Sequence, residues 1–116
     1  MKNEPEIFFH HILEAISDLE VYTYKMTKRQ FIQDRKTQDA VIRKLEIIGE
    51  AVKNLRPMQT SISKDIPWKQ IASMRDILIH EYFGIDLDIV WSTVKKNIPP
   101  LKRAVQKVLE MEKSKL

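Results

Sequence analysis

The chain has 116 residues, 20 Lys and Arg against 16 Asp and Glu, a net charge of +4 and no Cys. That length supports one domain spanning residues 1–116. The lack of Cys excludes disulfide frameworks and thiolate metal sites and points to a reducing cytoplasm. Two Gly leave no Gly-rich phosphate loop, no run approaches the ~20 apolar residues of a membrane span, and the first six residues lack the basic-then-apolar layout of a signal peptide.

The first segment carries Phe8, Ile12, Ala15, Leu19, Tyr22 and Met26 at steps of three or four, with Phe9, Leu13 and Ile16 widening the stripe. This predicts an amphipathic helix, with Pro5 suited to its first turn. Thr27-Lys28-Arg29-Gln30 has capping-box form, so a new helical turn is expected there. Asp34 caps a long second helix, whose stripe Val41, Leu45, Ile48, Val52 and Leu55 stops before Pro57. Gly49 inside that helix costs about 1 kcal/mol against Ala. Either a neighbouring helix crosses closely there or the residue is tolerated drift.

Residues 57–66 read as a loop, and Pro67-Trp68 opens a third helix running to about Phe83, with Gly84 as its C-terminal cap. Asp86 caps the next helix, with Ile85 and Val90 as its staple. Pro99 and Pro100 interrupt, yet Val90, Val94, Ile98, Leu101, Val105 and Val108 keep one stripe, so this segment is a Pro-kinked helix or two helices end to end. No strand-like alternation persists. The expected fold class is all-α, an antiparallel bundle of four to five helices with a Pro-kinked C-terminal helix.

Charge is unevenly distributed. Residues 25–44 and 95–116 each carry seven Lys or Arg and two acids, while residues 1–24 carry one Lys and five acids. The two basic blocks either attract a polyanion such as RNA or are solvated helix faces.

On a helical wheel Arg75 falls between Trp68, Ile71, Ala72, Leu78, Ile79 and Tyr82. A guanidinium there pairs with a carboxylate such as Glu46 or Glu50, lines an oligomer interface, or points into a functional cleft. Asp76 and His80, four residues apart, share a face and can hydrogen-bond or form an ordinary surface pair. No second His follows His80 at metalloprotease spacing, and His10-His11 have no third ligand nearby, so no metal site is expected.

Arg75-Asp76-Ile77-Leu78-Ile79-His80-Glu81-Tyr82 fits R-x4-H-x-Y and resembles the motif helix of the HEPN superfamily, within it the HepT-like toxins of HEPN/MNT toxin–antitoxin pairs. The likeness extends through residues 34–43, Glu46-Ile47-Ile48-Gly49-Glu50-Ala51, Ile66-Pro67-Trp68-Lys69-Gln70-Ile71 and Tyr82-Phe83-Gly84-Ile85-Asp86, and so covers essentially the whole chain. It implies a helical homodimer in which two motif copies form one composite RNA-cleaving cleft, with metal-independent ribonuclease activity and no cofactor.

Under that resemblance Arg75 and His80 are the catalytic residues, the first gripping phosphate and the second serving as acid or base. Asp76 supports them by orienting His80. Relatives commonly carry Asn at that position; the acid keeps the orienting role and adds negative charge near the phosphate. The resemblance also implies a minimal nucleotidyltransferase antitoxin that transfers AMP to Tyr82. The alternative is a non-catalytic helical interaction or substrate-binding subunit of a nucleotidyltransferase. A third reading, a general RNA-binding bundle, rests on the basic blocks alone, which in the toxin reading supply RNA guidance or partner contacts.

Overall fold

In the computed structural model, residues 4–80 and 84–114 are described. Helix α1 (Glu4–Tyr22) buries Phe9, Ile12, Ala15, Ile16 and Leu19, the stripe expected from its spacing. It ends where the Thr23 hydroxyl donates to the Leu19 carbonyl at 2.8 Å and Lys25 takes a left-handed φ of 55°. Thr27 then starts α2 (Lys28–Ile32) with a full capping box: its side chain accepts from the Gln30 N–H at 3.1 Å while the Gln30 side chain accepts from the Thr27 N–H at 2.9 Å. This short helix delivers Phe31 into the core, fully buried, with its ring 5.2 Å from that of Trp91. Phe31 belongs to no long stripe, so periodicity did not mark it.

Asp34 caps α3 (Arg35–Asn54), accepting from the Thr37 N–H at 3.0 Å and its hydroxyl at 2.7 Å. These two bonds, led by the N–H, hold the Asp34 carboxyl below its ordinary value. α3 packs along α1 on one side and α5 on the other, and α1 also packs against α7. Val41, Leu45, Ile48 and Val52 are buried in this centre. The segment expected as a loop contains a 3-10 turn (Arg56–Met58) and the short helix α4 (Gln59–Ile62). Gln59 explains the gain of order, because its amide donates to the Val52 carbonyl at 2.8 Å and satisfies the open end of α3.

Helix α5 spans Trp68–His80, and its predicted extension to Phe83 lies outside the described residues. The helix end that Gly84 was expected to cap lies outside the described residues too. Asp86 caps α6 (Leu87–Ser92) by accepting from the N–H groups of Asp88 and Ile89. A π-helical turn (Thr93–Asn97) joins α6 to α7 (Ile98–Ser114). This is the form taken by the expected kink. Pro99 and Pro100 lack N–H groups and their rings crowd the carbonyls one turn back, and the wider turn gives that space. The Ile98 N–H accordingly reaches back five residues to the Thr93 carbonyl. Val90, Val94, Ile98, Leu101 and Val105 stay buried along this line. The fold is an all-α bundle.

At the α3–α5 crossing, a Cβ built on Gly49 would lie 2.8 Å from the Arg75 Cβ and 3.1 Å from the Ile71 carbonyl oxygen. The glycine is therefore there for close approach. Gly49→Ala gains about 1 kcal/mol of helix propensity but overpacks the crossing at a cost of about 1–3 kcal/mol. Urea unfolding is expected to show a net loss of up to about 2 kcal/mol, and a clear gain would mean that the crossing yields freely. Lys25→Gly is expected to act oppositely, adding about 0.5–1 kcal/mol by relieving the left-handed conformation, read in the same titration.

Candidate functional site

The close crossing fixes the root of the Arg75 side chain. From there the guanidinium is held twice: its Nε forms an ion pair with Glu50 Oε2 at 2.8 Å and its Nη1 donates to Asp76 Oδ1 at 3.0 Å. Of the two partners expected for Arg75, Glu50 is the one that pairs; Glu46 lies 3.9 Å from Arg43 instead. The Arg75 side chain remains 33% exposed, so its remaining donors can still reach a ligand.

Arg75 sits at the edge of the buried arc of α5 and not at its centre. Ile71, Met74 and Leu78 are buried, whereas Ile79, on the other side of Arg75, is 38% exposed. That open flank forms one wall of a groove of about 230 Å³. His11 of α1, Arg43, Glu46 and Glu50 of α3, and Arg75 and Ile79 of α5 line it, with Phe8 and Ile47 as apolar floor. The groove carries two guanidiniums, two carboxylates and an imidazole, a mixed set suited to holding a phosphate between cations while excluding part of its solvent.

His80, the last described residue of α5, is exposed, does not line this groove, and its side chain has no hydrogen-bond partner among the described residues. Five residues separate it from Arg75, about 140° around the helix and about 7.5 Å along it. Within one chain the side chains of Arg75, Asp76 and Glu50 are bonded together, while His80, on the same flank of α5 as Asp76, is bonded to none of them. Asp76, expected to orient His80, is turned toward Arg75. Tyr82 and Glu81 lie outside the described residues.

His11 is the residue whose place sequence reading missed. The adjacent pair His10-His11 divides: His10 faces Glu6 at 3.6 Å, while His11 meets Phe8 edge-to-face at 6.2 Å and enters the Arg75 groove. Only the packing of α1 on α3 brings it there, and no local motif marks it.

The Glu50–Arg75 pair is half open to solvent, which limits its contribution to stability. A double-mutant cycle with Glu50→Ala and Arg75→Ala, read by urea unfolding, is expected to give a coupling below about 1 kcal/mol. A much larger value would make the pair a structural clamp.

The family described as Ribonuclease HepT-like matches residues 12–108, a range containing Arg75, Asp76 and His80. A Methanocaldococcus jannaschii protein named as a γ-glutamylcyclotransferase and candidate RNase is 47% identical over 116 residues, which cover 99% of this chain and 52% of that protein. The chain therefore spans about half the length of that relative. A candidate ribonuclease HepT of Thermococcus cleftensis is 45% identical over 108 residues, covering 93% of this chain and 98% of that one. A candidate RNase of Caldanaerobacter subterraneus subsp. tengcongensis is 42% identical over 109 residues, 94% of this chain and 97% of its own length. No solved structure gives a significant match. With the family covering most of its length, this chain belongs to the HepT-like ribonuclease family of the HEPN superfamily.

Proposed function

We propose that this chain is a metal-independent endoribonuclease, the toxin of a type II HEPN/MNT toxin–antitoxin pair. In this reading it works in the cytoplasm as a homodimer, cleaves RNA at a composite site, and is neutralised by a nucleotidyltransferase antitoxin that adds AMP to Tyr82. The observation that carries the reading is the state of Arg75: anchored at a crossing too tight for a Cβ, aimed by Glu50 and Asp76, and still one-third exposed on a groove wall. The names of the relatives, which describe RNases, support the same reaction class.

RNA supplies its own nucleophile. The 2′-oxygen attacks phosphorus, the bond from phosphorus to the 5′-oxygen breaks, and the products are a 2′,3′-cyclic phosphate and a 5′-hydroxyl. A base removes the 2′-OH proton and an acid protonates the departing 5′-oxygen. His80 suits either task, because an imidazole can accept a proton at one ring nitrogen and donate one from the other, and its nitrogens have no competing bonds among the described residues. Arg75 stabilises the negative charge that builds on the non-bridging oxygens with the donors that Glu50 and Asp76 leave free.

One helix aims Arg75 and His80 in different directions, and two apposed copies answer this by facing the Arg75 of one toward the His80 of the other. Half-buried Phe8 and Ile47 with exposed Ile79 provide an apolar border for such a contact. AMP on Tyr82, two residues beyond His80, would place a phosphate and a nucleoside where RNA must enter, and cleavage would stop by occlusion and charge competition. Among the described residues no helix is long and apolar enough to cross a membrane.

Purified protein is expected to cleave single-stranded RNA in EDTA and leave cyclic-phosphate ends, with Arg75→Ala and His80→Ala each lowering the rate at least about 100-fold. Cleavage that persists in both variants would overturn the assignment. Coexpression with the cognate nucleotidyltransferase is expected to add the mass of AMP, lost in Tyr82→Phe.

A further inference from the structure

Arg75 and Asp76 stand on a crest between two clefts, and the second one is not the Arg75 groove. It has a volume of about 540 Å³ and lies between the C-terminal end of α3, the turn that follows it and the first turns of α5. Lys53, Arg56 and Lys69 line it together with Gln59, Ser73 and Asp76. All three cations are exposed, and none has an acidic partner among the described residues. Its one carboxylate, Asp76, is bonded to Arg75.

Each neutral donor group of this cleft already makes one bond within the chain. The Gln59 amide donates to Val52, the Ser73 hydroxyl to the Lys69 carbonyl at 2.7 Å, and the Trp68 indole to the Ser63 carbonyl at 2.8 Å. Trp68 is 8% exposed and offers no stacking face. Apart from the second N–H of Gln59, the donors left free are cationic, which suits backbone phosphates. Lys69, Ser73, Asp76 and His80 fall within about 60° of one another on α5, so the cleft wall and His80 share a flank over about 16 Å.

By contrast, several cations of the two basic blocks are engaged. Lys28 pairs with Asp88, Lys44 with Asp18 and Lys102 with Glu20, at 2.7–2.8 Å. The cleft cations come from residues 45–94, where acids outnumber bases, and only folding assembles them.

We propose that the Lys53–Arg56–Lys69 cleft is a phosphate subsite that holds the backbone of an RNA strand along the flank of α5 leading to His80. This rests on the ribonuclease reading, and binding, measured apart from cleavage, separates the two. The probe is a fluorescein-labelled single-stranded RNA, titrated into full-length His80→Ala protein and into the same protein carrying Lys53→Ala, Arg56→Ala and Lys69→Ala. The triple change is expected to weaken binding at least about tenfold at 0.1 M salt and to flatten the salt dependence by about 2 in log–log slope, near 0.7 per lost phosphate contact. Thermal unfolding checks that the exposed substitutions leave the fold intact. Unchanged affinity and slope overturn the proposal, as does failure of the His80→Ala protein to bind RNA. A greater loss from Arg103→Ala with Lys107→Ala would move the main subsite to α7 and overturn it too. Absence of cleavage by the native chain, with binding that depends on the three cations, would sink the ribonuclease reading and leave the subsite standing.

Discussion

The missing Cβ of Gly49 lets α5 lie on α3 at a distance that no other residue permits without a shift, and the contact falls on Arg75 itself. Packing and site geometry are thus one constraint. The helix that carries the motif arginine is seated by the backbone of the helix that carries Glu50. Flexible arginine side chains lose considerable rotamer freedom on being aimed; here the Cβ is fixed by contact and the guanidinium is held by two carboxylates, so that cost is met on folding.

Electrostatics has a similar double role. The acidic first segment and the two basic blocks, which look like separate regions in the sequence, meet in the fold: Asp18 with Lys44 joins α1 to α3, and Glu20 with Lys102 joins α1 to α7. The Asp18 carboxylate raises the Lys44 ammonium above its ordinary value. These pairs are partly exposed and add little stability each, but they fix which helix lies beside which and reduce the free positive charge of the blocks. What remains free in the central segment then has more weight than its net charge suggests.

The long helices were legible because burial imposes a period of 3.6 on apolar residues, and the capping residues Thr27, Asp34 and Asp86 marked the starts of α2, α3 and α6. Gly49 was legible as an anomaly, since a glycine in a helix interior asks for a close neighbour. Phe31, the 59–62 turn and His11 were not legible. Phe31 and His11 owe their positions to partners distant in sequence, and the 59–62 helix to a side-chain bond from Gln59 back to Val52, none of which apolar periodicity records. The motif singled out Arg75 and His80 as candidates, and their different directions on α5 followed from the helical angle alone. The π turn was hidden because sequence spacing marks a proline break without telling how the backbone accommodates it.

That turn has a mechanical consequence. Two consecutive rungs of the backbone ladder are missing at Pro99 and Pro100, and the Thr93 hydroxyl draws on the Ile89 carbonyl one turn earlier. The C-terminal rod is therefore jointed, and its bearing is made of Val94, Ile98 and Leu101 pressed into the core. Torque applied to the tail of α7 is carried through those side chains into the bundle, with less of it borne by the helix axis.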